Sequence, residues 1–454
     1  MEIIARIWNN LADFSIFEAW LHEKPFTYRP LYYIMTSIVG ILNKQAVAVA
    51  ADSAVTVNGG AKIYNTANKI FNLSKGCPVG IAIYGNAALN GCVPWEVVIK
   101  MYRKHIGDKK FATLSEYAQH FFEYVQSYTQ QYISDEDALS ILEGNILQFW
   151  CEEFTRGLRE GDGLDAPIAK LALSILKDKV NAFATKLKKH KVLEAYKDVK
   201  IDAFVAAIQD VLDIIKQQIT KNGGKWEEYE APICEILYRM FTTTALNNPN
   251  TSGVSIFGFG ENEIYPSLQE YLVYNIVLGV QRIDKKPDCV INESKRASIY
   301  AMAQRDVIET FVEGVSKTIK NTFLDATESA IKETVKGVSS VIKPYDANLA
   351  DAIKAMDSRG IVQQYRNTIN EIIQRDQVSP LIRTIASMGK EDIADLAENL
   401  IYMTSMKRHV TPFAETVGGP IDVAIISKGD GFIWMKRKHY FSADLNRTFF
   451  DIQR

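Results

Sequence analysis

Cysteine is scarce and badly placed for cross-linking: Cys77, Cys92, Cys151, Cys234 and Cys289 are odd in number, far apart and never in a C-x-x-C. That excludes a disulfide framework or a zinc cluster and fits a reducing compartment. The six histidines are scattered without an H-x-x-x-H or similar spacing, so no metal is expected. An excess of one charge is missing too. Lys+Arg 52 against Asp+Glu 54 leaves a net charge of −2, which argues against a nucleic-acid or acidic-lipid partner. No apolar run approaches the ~18–20 residues of a membrane span. The first residues lack the basic start, apolar core and small-residue cleavage site of a secretion signal. Internal repeats and low-complexity segments are absent as well. The expectation is a cytoplasmic protein without a membrane or nucleic-acid partner.

What is present is a chain of 454 residues, 47% hydrophobic and 23% charged, enough for a sizeable core and two or three domains. Short β-branched or small apolar runs predict strands at 37–42, 46–51, 70–73 and 79–84, again at 254–259 and 270–277, and late at 421–426 and 432–435. Between them the period becomes helical, as in the helix opened by Thr113-Leu114-Ser115-Glu116. Over 306–342, Ile308, Val312, Val315, Ile319, Phe323, Ala326 and Ala330 recur every three or four residues. That stripe predicts one apolar helical face about five nanometres long, packed on its own domain or on another subunit. Strands at both ends with helices between them predict an α+β fold carrying helical insertions. The boundaries read as an extension over 1–35, core over 36–130, helical insertion over 131–250, core strands over 251–305, a second helical insertion over 306–394, and last core helix and strands over 395–454.

Two weaker signals are set aside. Gly258-Phe259-Gly260 is too short for a dinucleotide fingerprint and reads as a strand-end turn. Lys436-Arg437-Lys438-His439, after an apolar strand, reads as a solvated turn.

One constellation carries chemistry. Thr36-Ser37-Ile38-Val39-Gly40-Ile41 is followed by Ala48-Val49-Ala50-Ala51-Asp52-Ser53, which puts Asp52 sixteen residues after Thr36. Asn68-Lys69-Ile70-Phe71-Asn72-Leu73 sets a lysine before a strand, and Ile83-Tyr84-Gly85-Asn86-Ala87-Ala88 sets a glycine after one. Glu415-Thr416-Val417-Gly418-Gly419-Pro420 leads into the last strands. This order resembles mature proteasome β-subunits and the bacterial heat-shock-locus V peptidase. The likeness is good over 36–90, fair over 252–280 and 395–435, and absent across the helical insertions.

The resemblance implies a four-layer αββα sandwich of the N-terminal-nucleophile (Ntn) hydrolases with large helical insertions. It implies amide hydrolysis, of peptides or proteins, through an acyl-enzyme on Thr36. It further implies no cofactor, a homo-oligomer, and an ATPase as a candidate partner. A threonine hydroxyl is a poor nucleophile and needs a base; when threonine comes first, its own α-amine supplies one. By the resemblance Lys69 lowers the amine pKa, Asp52 holds Lys69, and a backbone N–H at Gly85 serves the oxyanion.

The chain departs from that pattern in two places. Where the family has a Gly-Ser-Gly turn, Ala301-Met302-Ala303-Gln304 stands, leaving Gln304 as the polar side chain. Where it has a late Asp-x-x-Ser, Ala414 and Val417 stand, with Glu415 and Thr416 beside them. A non-proteolytic amidohydrolase and a catalytically silent assembly subunit are therefore the alternatives. Met35 precedes Thr36 where the proteasome subunits usually have glycine. Three readings stay open for residues 1–35: an upstream extension with Met35 as true initiator, a self-cleaved propeptide, or an uncleaved and inert chain.

Overall fold

The structure, a computed structural model, describes residues 32–34, 37–57, 62–154, 166–245, 251–355, 359–411, 417–439, 441–442 and 445–446. Its first strands are β1 (Tyr32–Ile34), β2 (Ile38–Asn43), β3 (Ala46–Ala51), β4 (Val55–Val57), β5 (Lys62–Tyr64), β6 (Ile70–Asn72) and β7 (Val79–Asn86). A small hairpin, β8 (Ala88–Leu89) with β9 (Val93–Pro94), leads into helices α1 (Trp95–Ile106) and α2 (Leu114–Tyr132). Helices α3 (Asp135–Glu153), α4 (Ala166–Leu187), α5 (Ile201–Ala207), α6 (Gln209–Lys221) and α7 (Glu230–Thr242) follow. Strands return as β10 (Ser252–Gly258), β11 (Ser267–Val277), β12 (Val280–Lys285), β13 (Cys289–Val290) and β14 (Ala297–Ala303). After α8 (Arg305–Glu313), α9 (Lys317–Ile342), α10 (Ala347–Lys354), α11 (Arg359–Ile373), α12 (Ser379–Ser387) and α13 (Lys390–His409) come β15 (Asp422–Ser427) and β16 (Gly431–Lys436). This is a mixed, α+β architecture in which the described strand ladders are antiparallel.

One sheet runs β12-β11-β10-β7-β1-β4-β5, with β13 on β11 and β6 on β7; the other runs β14-β2-β3-β15-β16. The early strand β3 thus pairs with the late β15. Strands β2 and β3 are buried along their whole length because both of their faces are covered. Val47 and Val49 turn toward Ala82, Phe257 and Leu268 of the opposite sheet. Ala46, Ala48 and Ala50 turn the other way, toward Ala394, Ala397 and Ile401 of α13. The strand period of two sends bulky residues to the sheet–sheet layer and small ones to the helix, where alanine allows close approach. On the far face of the first sheet, α1 and α2 bury Trp95, Tyr102, Tyr117 and Phe121 against Ile81 and Val254.

Local chemistry fixes the joints. Asn43 closes the β2–β3 turn, its Oδ1 accepting from the Gln45 and Ala46 amides at 2.9 and 3.2 Å. Thr113 caps α2 in a reciprocal box with Glu116, so that helix begins where its sequence signature sits. Helices α3 to α7 enclose a core of their own around Trp150, Phe204, Ile215 and Leu237.

Two expectations are corrected here. The stripe over 306–342 is not one helix: Gly314, at φ +71°, ends α8, and Ser316 caps a new helix, α9. Ile308 joins the core, whereas Ile319 and Phe323 stay exposed. The basic run that begins at the last residue of β16 is not simply solvated either. Lys436 pairs with Glu398 at 2.6 Å, Arg437 lies over the Trp434 ring, and Lys438 forms an ion pair with the buried Asp422.

Candidate active site

The sixteen-residue spacing of Thr36 and Asp52 has a simple structural content: β2 and β3 form a hairpin in which Ile38 lies opposite Ala51. The residue after β3 therefore meets the residue before β2. The Ser37 amide donates to Asp52 Oδ1 at 3.0 Å. On the same oxygen lands the Lys69 ammonium, at 2.7 Å. Oδ2 accepts from the Ala54 and Gly418 amides at 3.1 and 3.2 Å. Lys69 also donates to the Ala54 carbonyl at 2.7 Å. It precedes β6, which pairs with β7, and its own carbonyl accepts from Ile83 at 2.8 Å.

Both charges are buried, each about 1% exposed. Desolvation of such a pair costs several kcal/mol per ion, and good geometry with further hydrogen bonds is needed to offset it. Here three backbone N–H groups and one carbonyl provide those bonds. Burial pulls the Lys69 ammonium below its ordinary pKa, against the upward pull of Asp52. Lys438 adds a smaller downward push and Asp422 a smaller upward one.

Gly85 lies near the end of β7 at φ +78°, where a Cβ would stand 2.4 Å from the Thr251 carbonyl oxygen. Only glycine fits there. In the ladder it faces Ser252 of β10 on one side and Ile34 of β1 on the other.

Gln304 is also brought to this end of the molecule. Ala303 lies opposite Ile38, so Gln304 follows at the start of β2, with a left-handed φ of +47°. Its Oε1 accepts from Arg408 Nε at 3.0 Å. Arg408 in turn pairs with Asp306 at 2.6 Å, which ties the end of α13 to the start of α8. Thr36, Glu415 and Thr416 lie outside the described residues.

Several participants were not singled out from sequence: the Ser37, Ala54 and Gly418 amides, the Ala54 carbonyl, the Ser53 hydroxyl donating to the Pro420 carbonyl, and the Asp422–Lys438 pair. Asp422 had a legible signal, a carboxylate opening an otherwise apolar strand. Backbone donors have none, because every residue but proline carries one. Among the described residues no group of three or more His, Cys, Asp or Glu could hold a metal ion, and no helix is long and apolar enough to cross a membrane.

No family model and no curated protein matches the chain. Among solved structures it aligns with an Anbu (Gly-1) mutant from Hyphomicrobium sp. strain MC1 at 9% identity and a TM-score of 0.28, covering 92% of this chain and 94% of that one. It also aligns with Anbu, an ancestral beta-subunit, from Yersinia bercovieri at 8% identity and a TM-score of 0.25, covering 91% and 94%. Likenesses at that level fix neither fold nor activity. The sequence resemblance to proteasome β-subunits and heat-shock-locus V peptidases is corrected to this extent: both of these neighbours are Anbu chains, a proteasome-like but distinct family.

Proposed function

We propose that the protein is an Ntn hydrolase, a four-layer αββα sandwich that cleaves peptide amides with Thr36 as nucleophile. The observation that carries this reading is the buried Asp52–Lys69 pair, whose shared oxygen also accepts from the Ser37 amide. Thr36 is the residue that precedes Ser37 in the chain.

With Thr36 as first residue, its hydroxyl attacks the scissile carbonyl while its α-amine takes the proton. That amine titrates near ~8 when free, and the Lys69 charge lowers it. The tetrahedral oxyanion is stabilised by the backbone at Gly85. Collapse expels the amine fragment, which takes the proton back, and leaves an ester on Thr36. Water hydrolyses the ester and restores the hydroxyl. Lys69 stays an ammonium throughout, and Asp52 orients it.

A peptide substrate is supported by β1. Tyr32–Ile34 is an added antiparallel strand between β4 and β7, with Ile34 opposite Gly85 and Tyr33 opposite Thr56. An extended peptide seated by backbone hydrogen bonds between two strands is a recurring mode of recognition. The segment seated here ends just before Met35-Thr36.

A peptide epoxyketone, which reacts with both the hydroxyl and the amine of an N-terminal threonine, tests the reading. The expected product is one adduct per chain, mapped to Thr36, with loss of peptide hydrolysis. Thr36→Ala should abolish both, and Thr36→Ser should retain part of the turnover. Hydrolysis that persists in Thr36→Ala would sink the assignment.

A further inference from the structure

Gly85 is poorly equipped to hold its own conformation. Its φ of +78° suits glycine, and glycine has more backbone freedom to lose on ordering than any other residue. A backbone N–H that meets a developing oxyanion must be fixed before the reaction begins. The residues on both sides of Gly85 are tied down. On one side the Asn86 carbonyl accepts from Ser252 Oγ at 2.9 Å, and Ser252 Oγ accepts from Trp95 Nε1 at 2.8 Å. On the other side stands Tyr84, whose hydroxyl donates to the Glu270 carboxylate of β11.

Glu270 is fully buried and takes no part in the acyl transfer. It also accepts from Tyr300 of β14 at 2.6 Å, from Lys286 just beyond β12 at 2.7 Å, and from Arg305 at the start of α8 at 3.0 Å. A buried carboxylate needs charge partners and further hydrogen bonds, and Lys286 and Arg305 supply the charge. The charge of Glu270 is thus met without Tyr84. What the bond adds is a fixed end for the Tyr84 side chain. Burial first, and the Glu270 charge second, raise the Tyr84 pKa above its ordinary value, so the hydroxyl stays a donor. The ring is specified as well. Tyr84 lies opposite Gly253 of β10, and a Cβ at Gly253 would fall on the ring.

We propose that Tyr84, anchored on Glu270, is a positioning residue that fixes the backbone at Gly85; this rests on the Thr36 reading only for what the fixed backbone serves, the oxyanion. Tyr84→Phe keeps the ring and removes the anchor. Tyr300→Phe takes an equivalent hydroxyl from the same carboxylate, but its neighbours in the chain are not site residues.

Hydrogen exchange on the full chain reads the backbone without requiring hydrolysis. The amides of 85–86 should exchange about 10-fold faster in Tyr84→Phe than in Tyr300→Phe, roughly the worth of one hydrogen bond to a charged group, while those of 79–82 match in the two. Gly253→Ala, which displaces the ring but spares the hydroxyl, should also speed exchange at 85–86. In a chain whose mass shows Thr36 first, Tyr84→Phe should lower kcat for a peptide about 10-fold and leave KM in place, short of the ~100- to 1000-fold loss of a whole oxyanion donor. Tyr300→Phe should lower kcat several-fold less. Circular dichroism on each variant separates a displaced backbone from a lost fold. Equal exchange at 85–86 in folded Tyr84→Phe and Tyr300→Phe would overturn the proposal, whether or not the chain hydrolyses peptides. Hydrolysis that persists in Thr36→Ala would instead overturn the nucleophile and leave the exchange comparison to decide the role of Tyr84.

Discussion

At Asp52 four donors meet one carboxylate: the Ser37, Ala54 and Gly418 amides and the Lys69 ammonium. The two partners are not equally replaceable. Among the described residues, the carboxylate without Lys69 keeps three N–H groups, whereas the ammonium without Asp52 keeps one partner, the Ala54 carbonyl. Breaking a buried pair by removing one partner costs about 3–5 kcal/mol. Urea denaturation should therefore place Asp52→Asn near that loss and Lys69→Met clearly below it; the reverse order would contradict this account of the pair. Peptide hydrolysis should be lost in both. The pH profile follows from the lowered Lys69 pKa. The ammonium is the working form, so activity is retained below its native pKa and falls as pH rises through it. That alkaline limb should lie below the ordinary lysine value of 10.5. A profile flat up to 10.5 would show that Lys69 is not the cation in play. At Gly85 any side chain meets both a left-handed backbone and the Thr251 carbonyl. Gly85→Ala should destabilise the fold by ~1–2 kcal/mol from backbone handedness alone, before the clash is counted.

At the scale of elements, β1 is the joint that matters. Among the described residues, strands β4 and β5 join the first sheet through it. A chain beginning at Met35 lacks β1, so amide hydrogens of 55–57 and 62–64 should exchange faster than in the full chain. A saturating, uncleavable extended peptide should restore their protection. Unchanged exchange in the shortened chain would show that the slot does not depend on β1. The sequence makes β2 and β3 legible because two short apolar runs flank the polar Asn43-Lys44-Gln45, and from that hairpin the meeting of Ser37 and Asp52 follows. It does not make β1 legible, since Tyr32–Ile34 is three residues long and its pairing is non-local. Nor does periodicity reveal the break between α8 and α9: apolar spacing continues across Gly314, and the positive φ that ends the helix leaves no mark on hydrophobic pattern.

On the scale of the whole molecule, the two sheets bring three distant stretches to one place: 37–54, Lys69, and 418–422. Apolar runs at both ends of the chain announce that convergence, because neither end can cover its strands alone. The central claim is that Thr36 works only as a first residue. The most direct measurement compares peptide hydrolysis by a chain begun at Met35 with hydrolysis by the chain begun at Met1, each checked by intact mass. The account predicts turnover by the chain whose mass shows Thr36 at its start, and none by a chain that retains residues 1–35. Equal turnover from both, with residues 1–35 still attached, would contradict it.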